Sequence, residues 1–240
     1  MNEDDKISNC KNPLEKKFLE KQLNFAYRAM KKNEVIKIGC DIHVCCERKN
    51  YKGEWINCDY FKLNPYFDVD DDEDDKWWIV PIFDDRNYEL FATLADVRNY
   101  GYIKPISEPR GLPEDIHYIT KELADSWGDD GHSHSYYTLK ELMDYMTNAP
   151  TITYSGMISE EQCQDLDKYN IYPTFWCLST TMDGYTHRTW TVPDDNVPIL
   201  IEAMKKRCAE EYFIYEWCKD YEEQIKKQAD NFRIVFWFDN

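Results

Sequence analysis

The stretch FRIVFWFDN, residues 232–240, does most to limit what this chain can become. As a strand it places Phe232, Ile234, Phe236 and Phe238 on one face, and Arg233, Val235, Trp237 and Asp239 on the other. Aromatics at this density mark a core strand rather than a platform for stacking bases. A second alternating run, EVIKIGCDIHVCCERK, lies near the other end at 34–49. Ile36, Ile38, Cys40, Ile42 and Val44 share one face, and Lys37, Asp41, His43, Cys45 and Glu47 the other. Strong strands at both ends of a helical middle predict an α+β domain. Its first and last strands meet in a single sheet packed with several helices.

Between these strands the pattern changes period. YKGEWI predicts a turn and the start of a second strand, and NYELFATLADVRN places Leu90, Leu94 and Val97 at helical spacing with Asp84 or Asp85 as cap. GLPEDIHYITKELADSW reads as a further helix with Pro113 in its first turn. Thr138 and Glu141 form a T-x-x-E capping box that starts a helix reaching Met146. One long helix is expected from Asp194 to Ala229, with Pro198 tolerated in its first turn. Residues 13–32 carry Leu19, Leu23, Ala26 and Met30 as an amphipathic stripe, so residues 1–38 read as an N-terminal helical extension. Residues 39–240 read as one domain bearing an acidic loop at 65–80 and an elaboration at 147–193. Within the elaboration TFWCLSTTM predicts a strand, and TYSGM and MDGY predict turns.

Charge and cysteine usage narrow the function. A net charge of −17, from 29 basic and 46 acidic residues, argues against generic nucleic-acid binding. It leaves room for a metal, a cationic partner or a mimic of nucleic acid. The nine cysteines show no C-x-x-C pair and suit thiols in a reducing compartment. The first residues carry no signal peptide, and no run nears the roughly 18 apolar residues of a membrane span. The expectation is a cytoplasmic protein without a membrane partner.

Five blocks carry a resemblance: GCDIH at 39–43, RNYELFATLADVRN at 86–99, PISEPRGLPEDI at 105–116, WGDDGHSHSYYTLKEL at 127–142 and RIVFWFDN at 233–240. In this order they resemble a family of small proteins encoded by bacteriophages and some bacteria, a family without an assigned chemistry. The resemblance implies phage or prophage origin, and hence the host cytoplasm, together with a shared site. Residues 1–38, the acidic loop and 147–193 depart from the shorter family pattern.

The chemistry is therefore read from residues. Imidazole and carboxylate ligands suit a first-row divalent ion, zinc or manganese, and His43, His132, His134 and Asp239 are the candidate ligands. In extended backbone His132 and His134 would project to one side and converge. Asp41 or Asp130 would orient a ligand or act as base on metal-bound water. A phosphate site competes for the same block. Ser133 and Ser135 precede a helix, Arg86 and Arg110 are candidate phosphate forks, and Trp127 offers an aromatic wall. Each histidine also has a bland reading as a hydrogen-bonded strand or turn residue, and each arginine as half of an ion pair. Cys40 faces away from Asp41 and His43 and makes a poor nucleophile. Three function classes follow. The first is a metal-dependent hydrolase of a nucleotide or phosphate ester. The second is a non-catalytic binder, or sponge, of a nucleotide-like host signal. The third is an acidic inhibitor of a host protein.

Overall fold

The computed structural model describes residues 39–68, 77–100, 103–177 and 182–239. The expected helix at 13–32, the strand residues before Gly39 and the acidic run at 69–76 lie outside them. The fold is α+β, and its first described strand and its last are neighbours in one sheet. The chain divides into two compact units. Among the described residues the first comprises 39–86, 109–142 and 200–239, and the second 87–108 and 143–199.

The first unit is built on an antiparallel sheet of order β2-β1-β8-β5. Its strands are β1 (Ile42–Lys49), β2 (Trp55–Asn57), β5 (His132–Thr138) and β8 (Phe232–Phe238). A separate hairpin joins β3 (Tyr60–Leu63) to β4 (Trp77–Val80). All seven residues of β8 are buried, which follows from its central place and its apolar side chains on both faces. Each fully buried Phe or Ile there contributes about 1.5–3 kcal/mol relative to exposure. Helix α2 (Tyr118–Asp125) packs Ile119, Leu123 and Ala124 on Cys45 and Trp237. On the opposite face Arg48 reaches Glu211 at 2.7 Å, which ties the end of helix α5 (Asn196–Glu211) to β1.

Two buried acids organise the edge of this sheet. Glu47 and Arg233 face each other in the β1–β8 register and pair at 2.7 Å, with exposures of 0% and 4%. The second oxygen of Glu47 accepts the His117 N–H, and Arg233 also holds Asp115 at 2.7 Å. These bonds explain a departure from the sequence pattern. The helix expected from Pro113 starts only at Tyr118, because residues 113–117 are drawn onto the sheet by Arg233 and Glu47. Asp59 accepts the Cys46 N–H beyond the end of β2 and so takes over a bond that the short strand cannot make. Burial pushes its carboxyl up to about 6.

The second unit holds a long hairpin of β6 (Thr151–Ser159) and β7 (Tyr185–Pro193). It also holds helices α1 (Tyr88–Ala95) and α4 (Glu160–Tyr169). Ile152, Tyr154, Ile158 and Trp190 of the hairpin pack with Ala92 of α1 and Ile103. The cap of α1 is Asn87, whose side chain accepts the Leu90 N–H, not Asp84 or Asp85, which lie too far upstream. TYSGM is strand rather than turn. Gly156 stands there because a Cβ would meet the Cys177 carbonyl oxygen at 2.9 Å, where the chain bridges Met157 to Cys177. That bridge is the only strand pairing seen in the described part of TFWCLSTTM. MDGY does turn, with Gly184 at φ 78°.

Helix α3 (Leu139–Thr147) opens on the expected Thr138–Glu141 capping box, the Glu141 N–H reaching Thr138 at 3.1 Å and the Thr138 N–H reaching Glu141 at 2.8 Å. The single long helix expected over 194–229 is instead α5 and α6 (Tyr221–Gln228), separated by an aromatic turn. No helix among the described residues is long and apolar enough to cross a membrane. Cys45, Cys46, Cys58, Cys163, Cys208 and Cys218 form no disulfide among the described residues.

Candidate functional site

GDDGHSHS divides into two structures. Gly128–Asp130 form a 3-10 turn, and His132 opens β5. The serines therefore do not stand at a helix mouth, since α3 begins only at Leu139. Ser133 has φ 52°, and the β5–β8 register slips between His132 and Ser135. Opposite His132 stands Phe238, and opposite Ser135 stands Phe236, so two residues of β5 answer Trp237 alone. This is a β-bulge, and it reverses the alternation. His132 stacks on Phe238 at 6.1 Å, whereas His134 stacks on Trp237 at 6.1 Å. Phe238 and Trp237 are consecutive and face opposite ways. The expected convergence of His132 and His134 on one ion is thus corrected by the bulge.

His43 lies on the Trp237 face. In the β1–β8 register it stands beside Trp237, and its ring is 5.8 Å from that indole and 4.0 Å from Trp127. The rings of Trp127, His43, Trp237 and His134 thus form one row, with Trp237 between the two imidazoles. Burial lowers the His134 pKa and so favours its neutral form.

The polar end of the row is tightly specified. His43 Nε2 meets Asp239 Oδ2 at 3.2 Å, while Asp239 Oδ1 accepts the Asp41 N–H at 2.9 Å. Both carboxylate oxygens of Asp239 are thereby oriented. The Asp239 N–H in turn reaches the Asp41 carbonyl at 3.2 Å, continuing the β1–β8 pairing past both strand ends. Asp41 Oδ1 receives Arg86 Nε at 2.8 Å and Nη2 at 2.7 Å. His43, Asp239 and Asp41 are each 17–19% exposed and Arg86 is 37% exposed, so the group lies at the protein surface. With Nε2–H donated to Asp239, Nδ1 of His43 carries the lone pair and has no hydrogen-bond partner among the described residues.

The remaining candidates lie elsewhere. Arg110 pairs with Glu141 at 2.6 Å and lies 4.4 Å over the Tyr137 ring, which gives it a structural role at the start of α3. Ser135 is fully buried and accepts the Arg110 N–H, so its hydroxyl is not available to a ligand. Ser133 contacts His132 Nδ1 at 3.0 Å. Asp130 is exposed on the 3-10 turn, and no side-chain partner meets it among the described residues. Of the four candidate ligands only His43 and Asp239 come together, and no group of three His, Cys, Asp or Glu is arranged to hold a metal among the described residues. Trp127 has one face against His43 and packs beside the α2 core. The buried thiols of Cys45 and Cys46 have pKa values pushed up by burial, which keeps them protonated. The Arg86–Asp41 pair was the part hidden from sequence, although both residues were candidates, because nothing in their spacing brings them together.

No protein family model, curated protein or solved structure matches the chain.

Proposed function

We propose that the His43 end of the sheet is a site for a small phosphate-containing ligand and that the chain hydrolyses a phosphate ester there. His43 is the general base, Asp239 orients it, and Arg86, placed by Asp41, receives the phosphate. The observation that carries this reading is the hydrogen bond from His43 to Asp239, an imidazole held by a carboxylate whose other oxygen is also fixed. Such an arrangement sets the tautomer and leaves the second ring nitrogen to take a proton from water. A zinc or manganese ion taking His43 and Asp239 would need its other ligands from substrate and water.

The test is a screen of bis(p-nitrophenyl) phosphate and nucleoside mono-, di- and cyclic phosphates, with and without chelator. His43→Ala should lower kcat by about 100-fold or more, the usual scale for loss of a general base. Arg86→Ala should raise KM, and His132→Ala, on the other face, should leave both unchanged. Turnover that survives His43→Ala removes His43 as the base, and no turnover in the parent removes the hydrolase reading. A second reading, capture of a nucleotide without turnover, is favoured by one fact: both carboxylates beside His43 are engaged, Asp41 by Arg86 and Asp239 by His43 and the Asp41 N–H. Saturable binding without product supports it.

A further inference from the structure

The turn between α5 and α6 exposes three aromatic side chains. Phe213 is 78% exposed, Tyr215 53% and Trp217 80%, and the Tyr215 and Trp217 rings stack at 5.4 Å. This turn has a defined backbone. The Ile214 N–H reaches back to the Ala209 carbonyl at 2.8 Å and the Phe213 N–H to Glu210 at 3.4 Å, the paired bonds of a Schellman helix end. Ile214 is buried and anchors it, and the Cys218 N–H closes a further turn on Tyr215 at 2.9 Å. Phe213 occupies the left-handed position of that motif, at φ 56°, where glycine is the favoured residue. A bulky ring is thus held in a disfavoured conformation and directed into water, which contributes nothing to the fold.

The charge around the patch selects its occupant. Between Ala209 and Glu223 stand six acids, Glu210, Glu211, Glu216, Asp220, Glu222 and Glu223, against one base, Lys219. Glu211 is engaged by Arg48 and Glu222 by Lys205, whereas Glu216 lies between the two stacked residues in the chain and Asp220, which accepts the Gln224 amide at 2.9 Å, follows three residues after Trp217. Indole and phenol faces attract guanidinium and ammonium groups, and the acids strengthen that preference. A second copy of the chain, carrying the same −17, is repelled.

We propose that Phe213, Tyr215 and Trp217 form a docking surface for a basic polypeptide segment. Its arginine or lysine side chains lie over Trp217 and Tyr215 and pair with Glu216 and Asp220, while an apolar residue packs on Phe213. The surface acts independently of the His43 site.

The test is fluorescence anisotropy of the full chain with a labelled peptide of alternating arginine and leucine, beside a glutamate–leucine counterpart. The basic peptide should bind and the acidic one should not. Trp217→Ala and Phe213→Gly leave net charge unchanged, and each should weaken binding by about tenfold or more, the behaviour of interface anchors. Phe213→Gly places the residue favoured by that backbone, so lost folding does not confuse its result. Equal binding by parent and both variants would mean attraction to net charge alone and would overturn the proposal. A dimer in sedimentation that Trp217→Ala abolishes would also overturn it, assigning the patch to a second copy of the chain.

Discussion

His132 and His134 are two residues apart in β5 and lie on opposite faces of the sheet, one stacked on Phe238 and the other on Trp237. The cause is Ser133, whose φ of 52° inserts an extra residue opposite Trp237. Left-handed backbone suits glycine and penalises β-branched side chains. Ser133→Gly and Ser133→Val both remove the hydroxyl, so comparing them isolates the backbone. The valine variant should be less stable than the glycine variant by about 1–2 kcal/mol in urea unfolding. Equal stabilities would mean that Ser133 does not set the bulge.

Arg233 and Glu47 should behave as a buried pair whose separation costs more than its absence. Arg233→Met leaves Glu47, which is 0% exposed, without its cation, a loss of about 3–5 kcal/mol. Burial already raises the Glu47 pKa above its ordinary value despite Arg233. The double variant Glu47→Leu/Arg233→Met removes the stranded charge and should be more stable than Arg233→Met by at least about 1 kcal/mol. A double variant less stable than the single would show that the His117 bond to Glu47 outweighs the pair.

How far sequence reasoning reached depends on whether the determining contacts were local. The meeting of β1 with β8 was legible because period-2 patterns at both chain ends have few places to be buried. The Thr138–Glu141 box was legible because it closes within three residues. The break between α5 and α6 was not. Phe213 and Trp217 stand four apart, as a buried helical stripe would, no glycine or proline separates them, and the structure leaves both in water. The site divided in the same way. His43 and Asp239 were assigned together from the paired strands, whereas the position of His134 relative to His132 depended on one left-handed serine that no composition signal marks.

Asp59, which is buried, and His134, which is half-buried, should bend the pH dependence of stability in opposite directions. Burial raises the Asp59 carboxyl from 3.8 to about 6, so the folded state holds its proton more tightly than the unfolded state. That contribution is present below pH 3.8 and is lost as pH rises through about 6, by on the order of 3 kcal/mol. His134 does the reverse. Burial lowers its pKa from 6.5, so the unfolded state takes up a proton first and stability is lost as pH falls below 6.5. Urea unfolding from pH 3.5 to 8 should show a steeper acid-side advantage in the parent than in Asp59→Asn. The loss just below pH 6.5 should be smaller in His134→Gln than in the parent. Parallel curves for parent and variant would remove the assignment at that residue.

Gly39 controls the Arg86–Asp41 pair by having no side chain. A Cβ there would lie 2.6 Å from Arg86 Nη1 and 2.9 Å from Cζ, closer than atoms pack, so Gly39→Ala must displace the guanidinium. The arginine is flexible and 37% exposed, so it can swing into solvent. The loss of stability should stay below about 1 kcal/mol, the scale of an exposed ion pair. Ligand binding should suffer as well, because the two Arg86 bonds to Asp41 that aim the fork are lost. Titration calorimetry with inorganic phosphate, and with any nucleotide that binds the parent, should show Gly39→Ala weakened about as much as Arg86→Ala, by roughly tenfold, the scale of one charge-assisted hydrogen bond. A Gly39→Ala protein that binds as the parent does, while Arg86→Ala does not, would mean that Arg86 acts without Asp41. If both bind as the parent does, the phosphate is not held at Arg86.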